Sequence, residues 1–205
     1  MVAALLKINK GSSRQAFIIY PLFWGLLWGA AEASLGHILH LIPVPGLSGF
    51  IMFPVGTVFM VRAWLSTGNP SSIFLASTAA AAVKMFDMFL PGPGIFAAVN
   101  PALAILCEGL AVAGLFSLVR SEQRFHPFSL LSVSLSWRLI YYGLIAAPAA
   151  LMGAPNFFML GPSILFKYFL FESFFNTIIL FAILKPVQPG LNLNFFLLKT
   201  LPTDD

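Results

Sequence analysis

The chain has 205 residues, of which 59% are hydrophobic and only 9% are charged, and its mean hydropathy is +0.92. Soluble domains carry about a quarter charged residues, so this composition excludes an ordinary soluble domain and indicates an integral membrane protein. The single cysteine, Cys107, excludes an internal disulfide framework and a cysteine-based metal cluster. The formal net charge is +4, but no basic run interleaved with aromatic residues indicates a nucleic-acid partner.

The N-terminal segment has some features of a signal peptide. Lys7, Lys10 and Arg14 precede an apolar run, and Ala31-Glu32-Ala33 has the small-x-small pattern of a cleavage site. Because the apolar run continues through Leu41, we expect a retained helix rather than a cleaved peptide.

Six apolar segments follow one another along the chain, each long enough to cross the hydrocarbon core, which takes about 17 to 25 residues. Breakers such as "PVPG", "STGNPSS" and "PGPG" separate them. The segments predict an all-α integral membrane protein, a bundle of six transmembrane helices forming a single transmembrane domain over residues 1–205. The predicted spans are approximately 17–42, 49–66, 72–90, 95–119, 129–152 and 162–184.

The basic residues outside the membrane core predict the orientation. With six crossings, eight of them fall on one side, and the three loops on the other side contain no Lys or Arg. By the positive-inside rule both termini are cytoplasmic and the protein lies in the cell membrane. The eight residues are Lys7, Lys10, Arg14, Arg62, Arg120, Arg124, Lys185 and Lys199.

Seven further Lys, Arg, Asp and Glu residues fall within the spans, where a charged side chain costs about 2.5 to 3.5 kcal/mol at the helix centre. Counted along the spans they form a belt from the midplane to the outer side, except for Arg138, which is placed towards the cytoplasmic half. They must pair, lose their charge or line a cavity. The seven residues are Glu32, Lys84, Asp87, Glu108, Arg138, Lys167 and Glu172.

Structural roles are open for several of these residues. Lys84 and Asp87 are three residues apart on one helix face, as in an ion pair, and Lys167 is placed to extend towards the interface. Glu172 and Asn176 have the spacing of interhelical hydrogen-bond partners. Histidines 37 and 40 have the position of interfacial residues. Glu32 and Glu108 have no balancing charge within a turn of their own helices, which favours a functional role.

Known catalytic and nucleotide-binding motifs are not matched. Gly46-Leu47-Ser48-Gly49 spells the GxSG of rhomboid proteases, but a serine nucleophile needs a histidine on a later helix, and the later His126 falls in a loop on the other side. No GxxxxGK[ST] loop for ATP occurs, and no Cys–His cluster has metal-ligand spacing. We therefore expect no catalytic residues, no cofactor and no metal, and any ATP-driven step would need another subunit.

The chain resembles the substrate-binding S components of energy-coupling-factor (ECF) type ABC transporters over about residues 15 to 185. The resemblance lies in six short hydrophobic helices, the small-xxx-small pattern of Gly25, Gly29 and Ala33, and the stretch "PGPGIFAAVNPALAILCEGL". It implies capture of a vitamin-like nutrient from outside and its transfer to a transmembrane coupling subunit driven by two ATPases.

The resemblance also implies roles for individual residues. Gly25, Gly29 and Ala33 would face the coupling subunit, while the outward half of the same helix would line a pocket. The expected ligand-binding residues are Glu32, His37, Lys84, Asp87, Asn100, Glu108, Lys167 and Glu172.

Two other functional classes stay open. The acids are compatible with a membrane enzyme or enzyme subunit acting on lipid-linked substrates, with a carboxylate as general base. A structural membrane assembly protein without a ligand is the third class.

Overall fold

The computed structural model describes residues 13–40, 42, 44, 46–89, 95–119, 124–154 and 161–187. In this part of the chain all regular structure is helical, and six helices are long and apolar enough to cross a membrane. The predicted all-α fold with six membrane-spanning helices is therefore confirmed. The helices are α1 (residues 13–40), α2 (Leu47–Thr67), α3 (Ser71–Met85, continued by a 3₁₀ turn over Phe86–Phe89), α4 (Ile95–Leu118), α5 (residues 127–151) and α6 (residues 162–184, followed by a 3₁₀ turn over Lys185–Val187).

These bounds follow the predicted spans closely, apart from α1, which begins at Ser13 rather than near residue 17. Glycine and asparagine set the tight connection between α2 and α3. Gly68 has φ +70 and donates its backbone N–H to the carbonyl of Trp64 at 2.7 Å, which ends α2 in a left-handed cap. The Asn69 side chain then accepts a hydrogen bond from the backbone N–H of Ser71 at 2.9 Å as α3 begins.

The helices pack as a closed ring in the order α1, α3, α4, α5, α6, α2, and α2 also contacts α3. Consecutive helices run in opposite directions, so the bundle has two ends. The proximal end is where α1 begins, α2 passes to α3, α4 ends, α5 begins and α6 ends. The distal end is where α1 ends, α2 begins, α3 ends, α4 begins, α5 ends and α6 begins.

The proximal half of the ring is filled by apolar and aromatic side chains. Trp64 packs edge-on against Phe116 with ring centroids 4.9 Å apart, and Phe116 packs against Phe125 at 5.8 Å. The guanidinium of Arg124 lies 5.1 Å from the Trp64 ring, which covers this aromatic cluster from the proximal end. Aromatic and apolar packing therefore holds the helices together in the proximal half.

The distal half is where the helices depart from regular α geometry. Three of them contain a five-residue π segment, Glu32–Gly36 in α1, Tyr142–Ala146 in α5 and Lys167–Phe171 in α6. Each segment lies between one and three turns from the distal end of its helix. In α5 the segment ends two residues before Pro148, which lacks the N–H that a regular turn needs. Such widened turns are often found at functional sites.

Gly25 and Gly29 of α1 lie directly against α3. A Cβ atom on Gly25 would meet the Ala76 carbonyl and lie 2.7 Å from the Cβ of Ala79, and one on Gly29 would lie 2.5 Å from the Cβ of Val83. The close helix contact within the chain thus occupies both glycines, and Ala33 is half-buried. The expectation that this stripe faces a coupling subunit stays a prediction.

Replacing Gly25 by alanine should destabilise the chain, because the added methyl group meets the backbone of α3. We expect a loss of about 1 to 3 kcal/mol in the free energy of unfolding, measured by thermal or SDS-induced unfolding in mixed micelles. Gly114→Ala in α4 is the matched control, since a Cβ there has no atom within 4 Å, and it should be neutral or slightly stabilising. Equal stability of the two variants would mean that the α1–α3 contact is looser than described.

Candidate functional site

Six acidic or basic side chains are buried in the described part of the bundle, and they lie from its middle to its distal half. They come from five of the six helices and are 7% exposed or less, with Arg138 fully buried. Five of them were expected as ligand-binding residues from the sequence. The six are Glu32, Lys84, Asp87, Glu108, Arg138 and Glu172.

Lys84 joins α3 to the π segment of α1. Its ammonium group lies 2.7 Å from Oδ2 of Asp87 and donates a hydrogen bond to the backbone carbonyl of Glu32 at 3.1 Å. A π turn disturbs the regular pattern of backbone hydrogen bonds. The π segment of α1 begins at Glu32, and Lys84 donates a hydrogen bond to the carbonyl of that residue. Its charge also interacts with the Glu32 carboxylate. Lys84 and Asp87 therefore form an ion pair that fixes α1 against α3.

Arg138 is the centre of a second network between α5, α6 and α2. Its Nη1 donates to the Ser134 carbonyl at 2.7 Å, and its Nη2 lies 3.6 Å from Oε2 of Glu172. With the Asn176 amide oriented so that its oxygen faces Arg138, that oxygen accepts from Nη2 at 2.8 Å, and the amide nitrogen donates to the Phe50 carbonyl at 2.9 Å. One arginine thus connects three helices.

Aromatic rings surround the Arg138 guanidinium. Its central carbon lies 4.5 Å from the ring centroid of Trp137, 5.5 Å from that of Tyr168 and 5.8 Å from that of Phe53. These contacts stabilise a cation that water does not reach. The Nε atom of Arg138 nevertheless has no hydrogen-bond partner among the described residues.

Glu172 of α6 lies next to the residue that precedes the distal start of α2. A Cβ on Gly46 would lie 2.7 Å from Oε1 of Glu172, and Gly46 has φ +81, a conformation that favours glycine. The carboxylate is therefore next to the helix N-terminus, where the helix dipole favours a negative charge. Its Oε2 atom has no hydrogen-bond partner in the described residues.

Glu108, in the middle of α4, lies between the two networks. Its carboxylate is within electrostatic range of Glu32 on one side and Arg138 on the other. It is 3% exposed, and its Oε2 atom has no hydrogen-bond partner among the described residues. An unpartnered buried carboxylate oxygen is costly, which makes Glu108 the member of the cluster that local packing explains least.

The remaining expected site residues lie outside this cluster. The Tyr141 hydroxyl donates to Oδ1 of Asn100, which links α5 to α4. Lys167 is exposed, although its charge interacts with Glu172. His37 is half-buried on α1, and the side chain of His40 lies outside the described part of the chain.

Sequence reasoning missed Arg138 as a site residue. The predicted span began at residue 129, which put Arg138 towards the cytoplasmic half, whereas α5 begins at Pro127 and Arg138 lies near its midpoint. Glu172 and Asn176 lie near the midpoint of α6, so a comparison of depth across helices would have placed the three residues at one level. The alternative reading of Glu172 and Asn176 as interhelical hydrogen-bond partners agrees with the contacts observed.

An apolar groove of about 430 Å³ lies elsewhere, between α2 and α6. Phe50, Val55, Val58 and Ile179 are among its lining residues, and no charged side chain lines it. The groove is therefore chemically different from the buried ionic cluster.

The serine of the GxSG stretch is remote from the later histidine. Ser48 lies in the first turn of α2 at the distal end, whereas His126 caps α5 at the proximal end, where its Nδ1 accepts from the Phe128 backbone N–H at 3.3 Å. A Ser48–His126 catalytic pair is thus ruled out by geometry.

Comparison with known proteins identifies no relative. No protein-family model matches the chain, and neither a curated protein nor a solved structure is significantly similar to it. Any functional assignment must therefore come from the residues themselves.

Replacing Lys84 by methionine should leave Asp87 buried without its partner and free the Glu32 carbonyl. Breaking a buried ion pair from one side costs about 3 to 5 kcal/mol, so we expect a large drop in the unfolding temperature of the chain in nanodiscs. Lys84→Met combined with Asp87→Leu should recover much of the loss, because both charges are then removed. Lys185→Met, at an exposed proximal position, is the control, and an equal effect of the two single variants would contradict the ion pair.

Proposed function

We propose that the chain is the membrane-embedded substrate-binding subunit of a nutrient uptake transporter of the ECF type. In this role it captures a vitamin-like small molecule from the outer side and hands it to a transmembrane coupling subunit driven by two ATPase subunits. The sequence resemblance supports the proposal, and the structure adds a buried ionic cluster in the part of the bundle where a ligand arriving at the distal end would bind.

The observation that carries the proposal is the buried carboxylate of Glu108 in this cluster, whose Oε2 atom has no hydrogen-bond partner among the described residues. A structural protein has no reason to keep a buried carboxylate oxygen without a partner, because an apolar side chain of similar volume would be more stable. Polar residues inside a membrane bundle are rare and generally functional. Oxygen and nitrogen atoms with free hydrogen-bonding capacity on Glu108, Glu172 and Arg138 are groups that a polar ligand can satisfy.

The helix geometry is compatible with ligand entry from the distal end. The three π segments lie in the distal halves of their helices, where Glu32 belongs to the first and Glu172 directly follows the third, and π turns are frequent at functional sites. The proximal half remains a packed aromatic base. A subunit of this design opens at one end while its other end stays intact.

The orientation belongs to the same proposal, with the proximal end cytoplasmic and the distal end outside. It rests on the basic residues at the proximal helix ends, such as Arg62 and Arg124, and on the positive-inside rule. Energy for transport comes from other subunits, because the chain has no ATP-binding loop.

Topology can be checked with reporter fusions at the C-terminus. In a bacterial host, we expect a fused green fluorescent protein to fluoresce and a fused alkaline phosphatase to be inactive, since the C-terminus is cytoplasmic. Fusion after residue 153, in the distal connection, should give the opposite result. An active phosphatase at the C-terminus would invert the topology and with it the side from which the ligand enters.

Ligand retention can be tested by native mass spectrometry of the full chain released from nanodiscs. We expect the wild type to carry a small molecule and Glu108→Gln to lose at least ten-fold in occupancy, because the variant removes the negative charge while it keeps the side-chain shape. Glu122→Gln makes the same chemical change in the sequence-predicted loop 120–128 and should retain the molecule.

Two results would contradict the proposal. Chain from its native membrane that carries no small molecule and does not co-purify with a coupling subunit and ATPases would favour an assembly protein. Turnover of a lipid-linked substrate by the isolated chain, without any partner, would favour a membrane enzyme.

A further inference from the structure

The buried charges of the described residues do not balance. Four carboxyl side chains are buried, on Glu32, Asp87, Glu108 and Glu172, but only two bases are, on Lys84 and Arg138. Uncompensated charges inside a bundle cost several kcal/mol each. The interior therefore has two acids in excess, and something must offset their charge.

The contacts show which two acids are in excess. Lys84 is paired with Asp87 at 2.7 Å, and Arg138 with Glu172 at 3.6 Å. Among the described residues, no ion pair within 4 Å includes Glu32 or Glu108. Glu32 and Glu108 are within electrostatic range of each other, and the ammonium of Lys84, which also interacts with Glu32, is already paired with Asp87. The excess negative charge therefore belongs to Glu32 on α1 and Glu108 on α4.

The immediate surroundings favour a positive group at this point. A Cβ on Gly36 would lie 2.7 Å from Oε2 of Glu32, so the glycine makes room for this carboxylate beside α1. Oε2 of Glu108, fully enclosed, has no hydrogen-bond partner among the described residues. Neither carboxylate has a positive charge of its own, because the ammonium of Lys84 near Glu32 is paired with Asp87, and a bound cation would offset their charge.

The type of cation follows from the rest of the site. Metal ions such as Ca²⁺ and Mg²⁺ need a shell of about six oxygen ligands, and the described residues contain no group of three or more His, Cys, Asp or Glu that could hold a metal. The neighbouring core is apolar, with Trp28, Ala80 and Ile105 among its buried residues. An organic cation, whose charge lies on a weakly hydrated, carbon-bound nitrogen, suits two carboxylates in such a setting.

We propose that Glu32 and Glu108 together bind the positively charged group of an organic cation, such as a quaternary ammonium or an alkylated nitrogen heterocycle. The inference rests on the proposed function, because it makes the ligand of the transporter subunit a cationic nutrient. The pair acts as a charge-selective subsite, while Lys84–Asp87 and Arg138–Glu172 hold the surrounding helices in place.

The test uses choline as the probe and the full chain in nanodiscs of neutral lipid. Thermal unfolding is measured with about 50 mM choline chloride, and separately with sodium chloride and potassium chloride at the same ionic strength. 3,3-Dimethylbutan-1-ol, which has the same shape as choline without its charge, is the matched neutral probe. For binding with a Kd of about 10 mM, we expect choline to raise Tm by about 2 to 4 °C.

The variants separate the subsite from a general salt effect. Glu32→Gln and Glu108→Gln should each lose the choline-induced shift, whereas Glu122→Gln should keep it. The proposal is overturned if choline and its neutral analogue give equal shifts, if sodium or potassium gives the same shift as choline, or if either site variant keeps the shift. Equal shifts for the charged and neutral probes would mean that protons, not a cation, neutralise the two carboxylates.

The failure of the cation subsite and the failure of the transporter proposal give different results. If native mass spectrometry finds a neutral or anionic ligand, the transporter proposal stands and the cation subsite fails. If choline binds selectively but the chain retains no nutrient and has no coupling partner, the subsite stands and the transporter proposal fails.

Discussion

The burial of charge in an apolar bundle is the constraint on which the rest of the structure depends. Water does not reach the centre of the bundle, so each ionisable group needs an opposite charge or a hydrogen bond from another helix. Lys84 meets this need between α1 and α3, and Arg138 meets it between α5, α6 and α2. Glu108 adds a buried carboxylate from α4 to this cluster, and no ion pair among the described residues includes it. Polar contacts therefore determine how the helices approach one another in the distal half.

The two halves of the bundle are stabilised by different interactions. Close packing dominates the proximal half, where Gly25 admits the backbone of α3 and Trp64 packs against Phe116. The distal half combines the ionic cluster with the three π segments and the 3₁₀ end of α3. The aromatic and glycine contacts are thus concentrated in one half of the bundle, and the buried charges in the other.

The sequence predicts the helices better than it predicts the contacts between them. Hydropathy locates all six spans, and the three-residue spacing predicts the Lys84–Asp87 pair, since both depend on local order alone. The Arg138–Glu172 pair depends on which helices are neighbours in the bundle. The hydropathy of the six apolar segments does not predict which helices pack against each other. The π segment at Glu32–Gly36 is not predictable from hydropathy either, and neither is the contact of Gly25 and Gly29 with α3. The single-domain organisation and the roles of the site residues stay predictions.

The central claim is that Glu32 and Glu108 face each other as unbalanced charges, and a double-mutant cycle in the ligand-free chain tests it most directly. The free energy of unfolding is measured for the wild type, Glu32→Gln, Glu108→Gln and the double variant in the same nanodiscs. If the carboxylates repel each other, removing either one relieves the strain, and the double variant gains less than the sum of the two single variants by about 1 kcal/mol or more. Strict additivity, with each single change destabilising the chain, would show that the two acids are independent and individually satisfied.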